Sequence, residues 1–416
     1  MAQFKINEIV RFLKLLATAV TVISCFSLTA CLDLEEDEVS STAANEDEPG
    51  TKDRGQKNDG LTGLFAEEIT EFSKTDVYGA FANHYSLMYE NLSYPDSGDT
   101  LTVPMPFPLA VANLCNSSIE MCQLKTVVIK SWISGFTDTS AITLLLDVNE
   151  DTIISPSFTF DDGALFALTS PKKVQRYVEA YALEDGQKDF FYTNSSSVTI
   201  HPVQIFGQKE EAFYSVEYQS QPEEIDYWYS VFVTPEADSI SAMVGEVAKK
   251  LPNGRLLVYQ QYSEDESVQE SLLRVVEAVF EVLQSRGIRY IEETGSSSVG
   301  QRINYPVETL RKKQGICIET AVLFASILER LGFDTRIIRI PGHAFVGWMI
   351  EDGGNVIDVV ETTKIADKSA DFWEAYVLGI DEYNEQIELG NFASGLSSVV
   401  YIKRAREAGI IPNNVP

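Results

Sequence analysis

The sequence predicts an α+β protein in two parts, a β-rich stretch followed by a region in which helices precede strands. Three patterns carry this expectation. Between residues 125 and 218, short β-branched and aromatic runs alternate with Gly, Pro, Asn and Asp, the punctuation of sheets. Between 264 and 285 the apolar residues recur at helical spacing. After 315 one apolar helical run is followed by three strand-like segments. The chain has 416 residues, 44% of them hydrophobic, enough for sizeable cores.

In the β-rich stretch, strands are expected at 125–132, 141–148, 157–160, 198–205 and 212–218, with helices around 65–92 and 171–183. No internal repeat or catalytic signature stands out there, and His84 and His201 read as packed or surface residues rather than ligands. The character changes near Gln221-Pro222-Glu223. Residues 231–234 read as a strand, and Pro235 with Asp238 opens a helix to about Leu251. A longer helix is expected from Glu264 to Ser285, with Ser263 as N-cap and Gly287 closing it. Its stripe of Val268, Leu272, Val275, Val276, Val279, Phe280 and Leu283 is a core face. Residues 288–291 read as a short strand and 295–300 as a loop.

The chain begins with a different kind of segment. Lys5, Arg11 and Lys14 precede the apolar stretch 15–26, too short to span a bilayer comfortably, and Leu28-Thr29-Ala30-Cys31 follows. This resembles a bacterial lipobox, which implies cleavage before Cys31 and lipidation of that residue. Acyl chains such as palmitate would tie the mature protein to a membrane. Leu32 rather than aspartate after the cysteine implies the outer membrane of the envelope, facing the periplasm. From Leu32 to Gly60 there are ten acidic and three basic residues, a composition that cannot bury enough surface to fold. The expected organisation is therefore a signal over 1–30, a lipidated cysteine and acidic tether over 31–63, a β-rich accessory domain over 64–221 and a helix-then-strand domain over 222–416.

The formal net charge of -30 argues against nucleic acid as a partner and against electrostatic adhesion to anionic lipid. An exported protein meets an oxidising compartment, where Cys115 and Cys122, seven apart in a turn-like stretch, are expected to pair. That leaves Cys317 as the odd thiol.

Cys317 stands in Gly315-Ile316-Cys317-Ile318-Glu319 at the start of an apolar helical run. His343, one of three histidines, lies in Gly342-His343-Ala344-Phe345, and a later strand-like segment ends in Glu361-Thr362-Thr363. A thiol at a helix N-terminus, a histidine and a carboxylate are the parts of an activated cysteine nucleophile. Strands over 335–340, 342–350 and 356–361, with a turn at Asp352-Gly353-Gly354-Asn355, would bring His343 and the acid to the helix end. Asp358 and Glu361 both compete for the third place. They are an odd number apart, so a regular strand turns them to opposite faces. Glu319 reads as a helix-start residue.

From Gln301 through Tyr305-Pro306, the Cys317 motif and Gly342-His343-Ala344-Phe345 to Glu361-Thr362-Thr363, the sequence resembles the transglutaminase-like superfamily. That family's pattern is Gly-x-Cys-x-Asp/Glu, His-Ala-Phe/Trp and a strand ending in Asp-Pro-Thr. The resemblance implies a papain-like α+β domain with a central helix on an antiparallel sheet, and it favours Glu361 over Asp358, with Glu standing for Asp and Thr for Pro. It implies catalytic roles for Cys317, His343 and Glu361, with the Cys317 amide and the side chain of Gln301 (or Gln314) as oxyanion donors. The implied chemistry is hydrolysis or acyl transfer on peptide or carboxamide bonds through a thioester, hydrolysis of a protein or peptide being favoured. No cofactor is implied, and three scattered histidines make no zinc site. The competing expectation is a catalytically silent domain that binds protein or glycan.

Overall fold

The computed structural model describes residues 63–68, 76–84, 93–96, 99–102, 107–115, 123–206, 227–254, 256, 267–292, 300–351 and 356–415. The signal, Cys31, the tether, Cys122, the expected strand at 212–218, Ser263, the loop at 295–299 and the turn at 352–355 lie outside the described residues. Among the described residues, no helix is long and apolar enough to cross a membrane. Helix and sheet are both abundant, consistent with an α+β chain.

The first half is built from strands β1 (Gly63–Glu68), β2 (Asp76–Tyr78), β3 (Ser93–Asp96), β4 (Asp99–Thr102), β5 (Leu109–Leu114), β6 (Lys125–Ile133), β7 (Ser140–Leu146) and β8 (Glu150–Ile154). They are followed by a short helix α1 (Asp162–Phe166) and strands β9 (Lys172–Glu184), β10 (Gln187–His201) and β11 (Ile205–Phe206). One sheet has the order β1-β5-β8 and a larger one β2-β10-β9-β6-β7. Leu109 and Val111 of the first meet Val127, Ile129, Val178 and Ala180 of the second in a shared core.

Three sequence expectations fail here. Residues 171–183 are not a helix but β9, flanked on both sides by β6 and β10. Lysine, arginine and glutamate suit a helix, but Arg176, Val178, Ala180 and Ala182 alternate inward, and pairing with two neighbours overrides local preference. Arg176 is fully buried, bonded to Glu68 and stacked 4.5 Å over the Phe107 ring. Residues 65–92 are likewise not one helix: the described part holds β1, β2 and a 3-10 turn, Gly79–His84. Gly79 packs so tightly on the neighbouring chain that a Cβ there would lie 2.8 Å from the His201 carbonyl. The strand expected at 157–160 is reduced to one bridge, Thr137 to Phe160. His84 and His201 are both buried, His201 bonding Asp76 at 2.8 Å and stacking on Tyr78.

The second half begins with a 3-10 turn, Tyr227–Phe232, where a strand was expected at 231–234. Helices α2 (Asp238–Lys250) and α3 (Val268–Ser285) follow. The N-cap of α3 is Ser267 rather than the expected Ser263, and Ser267 closes a reciprocal capping box with Glu270. Next come β12 (Arg289–Tyr290), β13 (Gln301–Arg302), α4 (Pro306–Lys312), β14 (Gln314–Gly315) and α5 (Cys317–Arg330). Strands β15 (Thr335–Ile340), β16 (His343–Met349) and β17 (Ile357–Val360), helix α6 (Phe372–Glu388), β18 (Ser398–Tyr401) and α7 (Ile402–Glu407) complete the chain. The antiparallel sheet has the order β17-β16-β15-β18.

Helix α5 is the centre of this half. Ala321 to Ala325, Ile327 and Leu328 are all fully buried, as befits a helix apolar on every side. The one polar side chain in that run, Ser326, accepts from the Thr234 amide at 2.9 Å. The main apolar cluster takes in α3, α5 and one face of the sheet, and continues to Val77, Phe81 and Phe206 of the first half. The other face of the sheet, with Ile338, Phe345 and Val359, packs on Ile380 and Tyr383 of α6. The sheet is thus sandwiched between α5 and α6, and the site lies at its end.

Candidate functional site

The Cys317 position is set by a short, heavily bonded turn. Lys313 takes a left-handed conformation (φ 52°) that ends α4 and turns the chain into β14. β14 pairs in parallel with β12, Gly315 opposite Tyr290. Glu319, buried in the first turn of α5, accepts from the amides of Ile316 at 3.0 Å and Asn304 at 2.8 Å. It is a structural clamp on the helix start. Gly315 packs closely beneath it, since a Cβ would come within 3.3 Å of the Glu319 carboxylate and 3.1 Å of Thr309. Cys317 emerges half-buried as the first residue of α5, a free thiol. There the unpaired amides and the helix dipole favour negative charge.

His343 opens β16. In the β16–β17 pairing Val346 faces Val360 and Trp348 faces Asp358. Continuing that register one step puts Glu361 opposite Phe345, on the same side of the sheet as His343, while Asp358 points the other way. The contacts agree. His343 Nε2 bonds Glu361 Oε2 at 2.7 Å. Asp358 instead accepts from Tyr376 at 2.9 Å and from Gln269 at 3.0 Å. The other Glu361 oxygen, Oε1, accepts from the Thr363 amide at 2.8 Å and from the Thr363 hydroxyl. Glu361 is almost wholly buried, and its backbone amide donates to the Ala375 carbonyl of α6 at 3.1 Å. A carboxylate so fixed can hold an imidazole in one orientation.

Because His343 stands at the end of its strand, the ring is reached from both layers. The Cys317 side chain comes from α5, near enough to the imidazole to strengthen its hold on a proton. Thr320 ties the two supports together, donating to the Cys317 carbonyl at 2.8 Å and meeting the Thr362 hydroxyl at 3.4 Å. Burial alone would lower the affinity of His343 for a proton, but hydrogen bonds to Cys317 and Glu361, with their charges, outweigh it. The imidazole is lifted from 6.5 to about 10. Burial would likewise raise the Glu361 carboxyl, yet the hydrogen bond and charge of His343, together with Thr363, hold it below the ordinary carboxylate range.

The structure therefore brings Cys317, His343 and Glu361 together. Gln301 lies on β13 opposite Phe206, and Gln314 on β14 opposite Arg289. Cys115 is disulfide-bonded. Three residues were not picked out as parts of the site. Thr363 stood in the Glu361-Thr362-Thr363 run without a role. Tyr290 sits near enough that, after burial, the charges of Cys317 and Glu361 raise its phenol. Glu382 of α6 lies 3.9 Å from His343 Nε2. It comes from a helix with no local motif, so only the packing of α6 reveals it.

Ligand atoms of His343, Glu361 and Glu382 approach within 4.8 Å of one another. A metal needs a neutral, deprotonated imidazole nitrogen. A metal here would have to displace the proton that Cys317 and Glu361 favour on the ring.

Residues 299–374 match the family model of the transglutaminase-like superfamily, so this part of the chain is similar to a transglutaminase-like domain. No curated protein and no solved structure matches the chain. The matched segment contains Cys317, His343 and Glu361 and ends three residues into α6, before Glu382.

Proposed function

We propose that the transglutaminase-like domain is a cysteine hydrolase or acyltransferase acting on protein or peptide substrates, with Cys317 as nucleophile, His343 as base and acid, and Glu361 orienting the imidazole. The observation that carries this is the 2.7 Å bond from His343 to the buried Glu361, with the helix-start thiol of Cys317 near enough to act on the same imidazole. The thiolate attacks the carbonyl carbon, and the tetrahedral oxyanion is met by the Cys317 amide and a side chain donor, for which Gln301 is the candidate. The C–N bond then breaks as His343 delivers its proton to the departing amine, leaving a thioester. Water, losing its proton to His343, returns the free thiolate and a carboxylic acid. An amine in place of water gives acyl transfer. Hydrolysis is the favoured outcome, and no cofactor enters the reaction.

The domain would work on an envelope lipoprotein of a bacterium, lipidated at Cys31 and held by that anchor at the outer membrane, facing the periplasm. The lipobox-like Leu28-Thr29-Ala30-Cys31 and the acidic tether support this placement.

The test uses reactivity at a pH where ordinary thiols are protonated. At pH 6, iodoacetamide should modify Cys317 in the wild type far faster than in His343→Ala. Equal rates in the two proteins would mean that no ion pair activates the thiol, and a protein- or glycan-binding module would be the better reading.

A further inference from the structure

Glu382 reaches the site from outside the matched segment. It lies on α6 three residues after Gly379, on the same helix face. Gly379 is the point at which α6 touches β17: a Cβ there would lie 2.9 Å from the Glu361 amide and 3.0 Å from the Val360 carbonyl carbon. The Ala375 carbonyl, one turn earlier, accepts that same amide. The helix is thus clamped to the backbone of Glu361, and the next turn carries Glu382 over its side chain. Glu382 Oε2 is shielded from solvent and has no hydrogen-bond partner, and carboxylate oxygens of Glu382 and Glu361 lie within 4.8 Å of each other and of a His343 ring nitrogen. Two carboxylates this close, in a half-buried place, are expected to share a proton.

We propose that Glu382 is a positioning residue: as a neutral carboxyl it hydrogen-bonds Glu361 and holds that carboxylate on His343, and on ionising it sets a second negative charge beside the imidazolium. The inference deepens the reading of Cys317, His343 and Glu361 as catalytic and rests on it. The charged groups around Glu382 are Glu361 and His343 at the strand ends and Glu385 on its own helix. From α3, the other element packed on α6, Glu277 stands at the far end beside Trp373. Burial, then the charge of Glu361 and the hydrogen bond to it, lift Glu382 to about 7, against a smaller opposing effect of His343. The proton therefore leaves Glu382 near neutrality and goes to solvent. Above that pH the imidazolium is held by two carboxylates and is a weaker acid toward a departing amine.

With three histidines in the chain, the His343 imidazole can be followed by NMR as a function of pH. In the wild type its ¹³Cε1 shift should show a step near pH 7, when Glu382 ionises, before its own titration near 10. Glu382→Gln, which keeps a donor for Glu361 but cannot ionise, should remove the step and lower the upper titration by about one to three units. At pH 6, Cys317 should be alkylated faster in Glu382→Gln than in Glu382→Ala, because only glutamine can still bond Glu361. A purely structural role would not distinguish the two variants. A step that persists in Glu382→Gln, or is absent from the wild type, overturns the proposal. The imidazole titration needs no turnover, so the outcomes separate. If the step vanishes in Glu382→Gln while Cys317 reacts as an ordinary thiol, the carboxyl pair stands and the catalytic reading falls.

Discussion

Replacing Glu361 with glutamine isolates the charge that orients the imidazole. The change leaves the side chain its length and keeps an oxygen for Thr363, which now bonds Oε1. It removes the negative charge 2.7 Å from His343 Nε2. The lift of His343 from 6.5 to about 10 corresponds to roughly 4–5 kcal/mol of preference for the imidazolium. Cys317 and Glu361 share that preference. An opposite charge at this range is worth about one to three pKa units, so Glu361→Gln should bring His343 down to roughly 7–9. The sign for stability follows. A raised histidine stabilises the fold fully below its unfolded value of 6.5, and the contribution fades as pH rises through the folded value of about 10. Because the Glu361 carboxyl is itself held below 4.5, its share is lost again at more acid pH, so urea denaturation should show wild type and variant furthest apart between 4.5 and 6.5 and converging toward pH 10. The assay for the cause is NMR titration of the His343 imidazole, with Asp358→Asn as control, since Asp358 is bonded to Tyr376 and Gln269 instead. The reasoning is refuted if wild-type His343 titrates near 6.5, or if Glu361→Gln leaves it unmoved while Asp358→Asn shifts it.

Three further outcomes are expected. With a peptide library as substrate, Cys317→Ala should show no turnover and His343→Ala a loss of about 10²–10⁴-fold; residual turnover in Cys317→Ala would move the nucleophile elsewhere. Gly379→Ala should destabilise the fold by about 1–3 kcal/mol in urea denaturation, because the added methyl meets the backbone of Glu361 and Val360. It should also slow Cys317 alkylation at pH 6 by displacing that carboxylate, and unchanged stability and rate would show that α6 is not clamped there. Wild-type cells fed labelled palmitate should yield labelled, membrane-associated protein and Cys31→Ser cells should not; equal association of the two would remove the lipid anchor.

The helices of the second half were legible because their apolar positions repeat at a period that only a helix can bury, as in α3 and α5. The boundaries were less so. Ser263 and Ser267 each have a glutamate three residues on, so local pattern cannot choose between them, and the folded helix forms its box at Ser267 with Glu270. Failures concentrated where long-range pairing decides. The segment Lys172–Glu184 carries helix-favouring charges, yet two strands distant in sequence flank it and Glu68 receives Arg176. Such partners leave no local trace.

What the sequence by itself determined was the set of groups that meet: a thiol at a glycine-led helix start, a histidine opening a strand, and acids an odd number apart on the next one. Strand parity separates Asp358 from Glu361, but it cannot say which face meets the histidine. The tertiary structure decided that by pairing β16 with β17 in one register, which turned Glu361 toward His343 and Asp358 toward Tyr376. It alone brought in Glu382, since that approach depends on α6 crossing the strand at Gly379. The physical reason is range. Periodicity and capping act within a few residues and are written along the chain, whereas the proton affinity of His343 is set by groups that come together only when two helices close over opposite faces of one sheet.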